Sequence, residues 1–489
     1  MFKGLIYLLF NNQTLRQTVI KNTFWLTVAN VAGRAIRAII VIYAARVLGA
    51  EGYGVFSYAL GFSALFIGFS DLGITGILSR ELSKGLGRGQ KIIATSFFIK
   101  LTLTLATYIA ALIGAFTVMP VAAAKIIIPL ISLSLALDGF REFGFGVTRS
   151  FQKMEIEAGV TVAYQIGSVI VGFAALLLWK TPLSLALAYA FGSALGVILI
   201  ARYLKEYLRN IRANFDPVLV KSILYDAWPF AITAFGNLIL LYTDTIFLGW
   251  MKAEVDVGYY NAASKILQLM NLVPNLFIYA LFPTLTQRIM TKEAKPLIEK
   301  SFALMVLLGL PIAVGGFLMP EFIINLVFGK EYELAIPIFR ILILLTAISF
   351  PVAIVGYSLL AHNRQAYVVK YTLGAAALNL VLNYFFIRSF GNPGAALATV
   401  LAQSIMFFGP LRELMKVEHL ELLKPLWRIL MSVAIMAGII ILLKTAALPS
   451  ILIFLAASAA YIAALGISKE PILQEIITPL RKLSSRTRK

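Results

Sequence analysis

The chain has 489 residues, 60% of them hydrophobic and only 13% charged, with 43 Lys and Arg against 23 Asp and Glu. A soluble domain carries nearer a quarter charged residues, so a soluble globular enzyme is excluded. There is no cysteine, which removes disulfides, thiolate metal sites and Cys nucleophiles; with only His362 and His419, a multi-histidine metal site lacks ligands.

In chain order, residues 2–10 are apolar but too short to span, and predict an interfacial helix. Apolar runs of about 20 residues or more follow, each able to cross a hydrocarbon core of roughly 30 Å. The first half predicts spans at 22–48, 54–79, 92–118, 122–148, 158–179 and 182–201. The second predicts 224–250, 257–286, 301–319, 333–361, 366–387 and 393–411. Two more fall at 429–444 and 446–467. The expected fold is an all-α membrane protein of about 14 transmembrane helices.

The net charge of +20 would suggest nucleic acid in a soluble protein. Its placement argues otherwise. With the N-terminus inside, 30 of the 43 Lys and Arg fall in inner segments and 7 in outer ones, alternating at every loop. Cytoplasmic loops carry such an excess, so the charge is topogenic and both termini are expected in the cytoplasm of a multi-pass cell-membrane protein. No nucleic-acid partner is expected.

The sequence repeats itself. "RVLGAEGYGVFSYAL" joins the first two spans, and "LGWMKAEVDVGYYNAASKI" joins the seventh and eighth. Gly52-Tyr53 thereby falls on Gly258-Tyr259, 206 residues later. An even number of spans separates the copies, so two pseudo-symmetric six-helix lobes in parallel orientation are expected. The expected organisation is an N-terminal segment (1–21), a first lobe (22–201), a basic cytoplasmic linker (202–223), a second lobe (224–411), a two-span region (412–467) and a basic tail (468–489).

Four stretches carry a family resemblance: "RVLGAEGYGVFSYALGFSALFIGFSDLGITGILSRELSK" at 46–84, "VGYYNAASKI" at 257–266, "VFGKEYELAIPIFRIL" at 327–342 and "ALNLVLNYFFIRSFGNPGAALATVLAQ" at 377–403. In these the chain resembles the Wzx-like polysaccharide and lipid-linked oligosaccharide flippases of the multidrug/oligosaccharidyl-lipid/polysaccharide exporter superfamily. The resemblance implies two lobes around a central cavity, alternating access, and a polyprenyl-(pyro)phosphate-linked sugar moved from the cytoplasmic to the outer leaflet. Multidrug exporters and peptidoglycan-precursor flippases share the architecture and stand as alternatives.

Such a substrate joins an anionic phosphate to a polar glycan, so ionisable groups inside spans are the candidates; each costs about 2.5–3.5 kcal/mol on the insertion scale and faces a cavity or a partner. Arg34 and Arg37 lie mid-span and three apart, on one helix face, with Asn30 extending that face. Either they form a cationic stripe for phosphate or they pair with carboxylates elsewhere. Arg141, Lys100 and Lys265 are further cavity candidates. Asp138, Glu142, Asp244 and Asp71 are candidates for ion coupling or for structural pairs. Asp138, Arg141 and Glu142 adjoin on one helix and could neutralise each other. Asn271/Asn275 and Asn379/Asn383, each pair four apart, could meet glycan hydroxyls or tie helices together. Pro274, Pro311 and Pro351 mark kinks.

No cofactor is expected beyond a coupling H+ or Na+. The expected partners are the lipid-linked substrate and membrane lipids, and the protein is expected to act as a monomer. A membrane glycosyltransferase or polymerase is disfavoured, because no outer loop exceeds about 15 residues and no acidic or histidine constellation stands at a membrane face.

Overall fold

The computed structural model describes residues 15–85, 87–289, 291, 293–422 and 426–474. The interfacial helix expected at 2–10 lies outside them. Within them the chain is helical, with no strand. Among the described residues, ten helices are long and apolar enough to cross a bilayer, or eleven if the bent pair Lys330–Leu342 and Leu345–Ala361, angled at 45°, makes one span.

The span expected at 22–48 and the first part of that expected at 54–79 fall on α1 (Leu15–Ile67), 53 residues in two helical stretches joined at a kink. At 1.5 Å per residue that is about 80 Å, too long for one crossing. It turns at Gly49, whose φ of 68° is the left-handed conformation that glycine adopts without steric penalty. The span expected at 257–286 is likewise broken: α8 (Glu254–Met270) and α9 (Leu272–Arg288) meet at Asn271. The Asn275 amide donates to the Asn271 carbonyl there at 2.7 Å.

The remaining helices are α2 (Ile74–Ser83), α3 (Gly89–Thr117), α4 (Ala122–Ser150), α5 (Met154–Leu178), α6 (Pro182–Tyr203) and α7 (Pro217–Met251). After α9 come α10 (Ala294–Leu318), α11 (Pro320–Val327), α12 (Ile336–Leu342), α13 (Leu345–Ala361), α14 (Gln365–Phe390), α15 (Asn392–Met415), α16 (Trp427–Thr445) and α17 (Ser450–Ile467).

The chain divides into two compact units. The first comprises residues 1–262 and 379–395 and the second 263–378 and 396–489. In the first, α1 packs on α4, α5 and α7, while α6 packs on α4 and α5. Small residues let these helices approach, as expected where lipid gives no hydrophobic drive to association. The closest approach is at two glycines. A methyl built on Gly54 would stand 1.8 Å from the Glu254 carbonyl oxygen, and one on Gly258 would stand 1.8 Å from that of Ala50. Both belong to the repeated motif. In the second unit α10 packs on α13 and α16, and α16 on α17. Its apolar core gathers Phe302, Phe350, Met436 and Tyr461, whose hydroxyl donates to the Leu307 carbonyl at 2.7 Å.

Candidate functional site

α1 enters the first unit with Arg34 and Arg37 one turn apart. Arg34 is exposed and makes no described hydrogen bond or ion pair. Arg37, 60° round the helix, turns toward α5 and α6. With the Gln165 amide oriented oxygen-first, that oxygen accepts from Arg37 Nε at 3.0 Å and Nη2 at 3.1 Å. The Tyr164 hydroxyl lies 3.5 Å from Nη2, and the guanidinium sits 5.5 Å from the Tyr189 ring centre. Every one of these partners is neutral. Asn30 does not extend the stripe: its amide donates to the Leu26 carbonyl of its own helix at 2.9 Å.

Asp138 is the acid in the surroundings of Arg37, and it is already engaged. It forms an ion pair with Arg141 one turn on and accepts from Ser193 Oγ at 2.7 Å. Arg141 is 4% exposed and stacks 4.0 Å over the Tyr164 ring. The Asp138–Arg141 pair is thus a self-neutralised element inside the helix packing.

Lys100 and Asp71 form a second pair, with Nζ to Oδ1 at 2.5 Å. The lysine is 1% exposed and the aspartate 39%. Thr75 Oγ1 donates to the same carboxylate oxygen at 2.5 Å. Asp71 and Lys100 open onto a cavity of about 480 Å³ that also meets Glu142, Gly139, Leu238 and Tyr242. Tyr242 also interacts electrostatically with Arg37, which does not itself line this cavity. Glu142 stands 3.5 Å from Arg149, whose stronger bonds go bidentately to Glu157 at 2.5 and 2.7 Å.

Asp244 and Lys265 are held differently. Asp244, 3% exposed on α7, accepts from Tyr260 Oη, from the Asn383 amide at 2.6 Å and from that of Asn379 at 3.3 Å. Lys265 donates to Gln268 one turn on, at 3.4 Å. The Asn379/Asn383 spacing was visible in the sequence, but their shared carboxylate lies 135 residues or more away. Asn271 instead accepts from Ser349 Oγ at 2.8 Å, between helices.

The comparisons fit this geometry. A family model described as polysaccharide biosynthesis protein matches residues 19–289, more than half of the chain and the whole of the Arg37 surroundings. The chain belongs to the polysaccharide biosynthesis protein family. It is similar to a "Putative O-antigen transporter" of Shigella flexneri, 24% identical over 412 residues, covering 78% of this chain and 94% of that protein. It is also similar to the "Probable low-salt glycan biosynthesis flippase Agl15" of Haloferax volcanii, 24% identical over 411 residues, covering 79% of this chain and 81% of the other. Among solved structures, the lipid II flippase MurJ in an inward closed conformation superposes with a TM-score of 0.74 at 16% identity, covering 91% of this chain and 99% of that one. At that identity the likeness is one of fold. This member of the polysaccharide biosynthesis family is a multi-pass membrane transporter with the fold of the exporter superfamily its sequence resembles.

Sequence reasoning missed the residues that surround Arg37. Tyr164, Gln165 and Tyr189 are polar or amphipathic groups inside apolar spans, which was the one available signal; their convergence on α1 was not.

Proposed function

We propose that the protein moves a polyprenyl-(pyro)phosphate-linked oligosaccharide from the cytoplasmic to the outer leaflet by alternating access, with Arg37 and Arg34 receiving the phosphate. The observation that carries this reading is the charge balance at membrane depth. Lys100 is answered by Asp71 and Arg141 by Asp138, whereas Arg34 and Arg37 have no carboxylate at ion-pair distance among the described residues. Two uncompensated guanidiniums are costly in a bilayer unless an anion spends part of the cycle beside them. A guanidinium matches a phosphate with paired hydrogen bonds, and the tyrosines and Gln165 hold Arg37 without neutralising it.

In this reading the protein is a translocator without a chemical step. It has fourteen spans in two six-helix lobes plus two further helices, with both termini cytoplasmic. The extra spans come from dividing α1 at Gly49 and joining α8 to α9. H+ or Na+ supplies the coupling, and Asp71, Glu142 and Asp244 are the carboxylates placed to respond. Lipid II carries the same pyrophosphate, so Arg37 suits a peptidoglycan-precursor flippase equally. The names of the two relatives favour a glycan precursor. A cationic drug is disfavoured by two guanidiniums that no carboxylate neutralises among the described residues.

The test is substitution at Arg37. Arg37→Ala abolishes or strongly impairs flipping at unchanged membrane abundance and thermal stability, and Arg37→Lys restores it in part. Loss of folded protein in Arg37→Ala would instead assign the residue to structure.

A further inference from the structure

The transport reading leaves one polar feature of the second unit unused. Where α10 and α16 begin and the segment after α17 returns, a cavity of about 410 Å³ is lined by Glu299, Lys300, Trp427, Arg428 and Glu470. Glu470 is 1% exposed, yet its Oε2 has no hydrogen-bond partner among the described residues. Arg428 donates from Nη1 to the Lys469 carbonyl at 3.2 Å, but its buried Nε has no partner either. A buried, unanswered polar atom costs about 1–3 kcal/mol. The two side chains that carry these atoms line one cavity, and a water or two would leave most of its volume unused.

The surroundings narrow the occupant. A carboxylate and a guanidinium are answered most strongly by charged partners, an ammonium for the first and an anion for the second. Burial pushes the Glu470 carboxyl upward with Arg428 opposing, and an ammonium beside it would favour the charged form. The cavity also stands at the ends of three apolar helices, the level where a bilayer passes into water. Arg428 lies 5.3 Å over the half-exposed Trp427 ring, and amphipathic tryptophans collect at that level. From Trp427 an exposed apolar stripe runs down α16 through Leu430, Met431 and Ile435.

We propose that this cavity is a head-group site for an aminophospholipid: its primary ammonium pairs with the Glu470 carboxylate, its phosphate pairs with the Arg428 guanidinium, and its acyl chains lie along the stripe of α16. The site is separate from the Arg37 site, and the proposal does not depend on what the protein transports.

The test uses the full-length protein. In native mass spectrometry the wild type retains one phosphatidylethanolamine. In nanodiscs phosphatidylethanolamine raises its unfolding temperature, whereas phosphatidylcholine, whose trimethylammonium has no N–H, and phosphatidylglycerol, which has no amine, do not. Glu470→Gln and Arg428→Gln each weaken retention roughly tenfold, the factor for one charge-assisted bond. Equal stabilisation by phosphatidylcholine and phosphatidylethanolamine would overturn the proposal, as would wild-type retention in Glu470→Gln. Equal stabilisation by soluble phosphoethanolamine would overturn the assignment to lipid. The lipid series on the wild type decides even if a variant fails to fold.

Discussion

Replacing Gly54 with alanine probes alternating access at a single atom. The added methyl would stand 1.8 Å from the Glu254 carbonyl oxygen, where ordinary contact begins near 3.4 Å. The obstacle is main chain, so no side chain can swing aside, and the turn leading into α8 must withdraw by about 1.6 Å. Overpacking of this kind typically costs about 1–3 kcal/mol. In the proposed topology this contact lies on the outer side, so the cost falls on the outer-closed state. A penalty of that size shifts the balance toward outward-open by about 5- to 150-fold. Gly258→Ala, which meets the Ala50 carbonyl at the same distance, does the same, whereas Gly76→Ala meets nothing within 4 Å and serves as the control. The assay is a single cysteine beside the contact in this cysteine-free chain, labelled from outside by an impermeant maleimide. Faster labelling and slower transport are expected for both variants. Wild-type labelling and transport in Gly54→Ala would refute the reasoning.

Two further outcomes follow from the same structure. Asp71→Ala strands a lysine that is 1% exposed and costs about 3–5 kcal/mol, whereas Lys100→Met leaves an aspartate that is 39% exposed and still bonded by Thr75, and costs less; equal losses of thermal stability would contradict the pairing. In the proposed topology a cysteine at position 210 reacts only from the cytoplasmic side, as the Lys and Arg count predicts; labelling of that position from outside intact cells would refute the map.

Hydropathy made most of the helices legible, because each lipid-facing stretch must be apolar for its whole length. It was less able to say where helices stop. Gly49 kinks the chain between the spans expected at 22–48 and 54–79, as their division requires, whereas Asn271 breaks a helix without interrupting the apolar run, so the α8–α9 break was not foreseen. The arginine stripe was legible as far as three-residue spacing allows, but 60° of helix suffices to leave Arg34 exposed while Arg37 meets Tyr164 and Gln165. Partner choice was the least legible level. Asp138 and Arg141 share a turn, and their pairing was one of the two readings their spacing allowed. Lys100 with Asp71, and Asn383 with Asp244, come from different helices, and no local pattern encodes such pairs. The orphaned Glu470 and Arg428 gave no sequence signal either, since a lone acid past the last span reads as an ordinary solvated charge.

The most direct measurement is flipping of a defined lipid-linked oligosaccharide by the purified protein in liposomes, read by lectin access to the glycan. The account predicts translocation by the wild type, none by the Arg34→Ala/Arg37→Ala double variant, and inhibition by an analogue that keeps the pyrophosphate but lacks the sugar. Wild-type rates in the double variant, or export of cationic drugs with no movement of the glycan lipid, would contradict it.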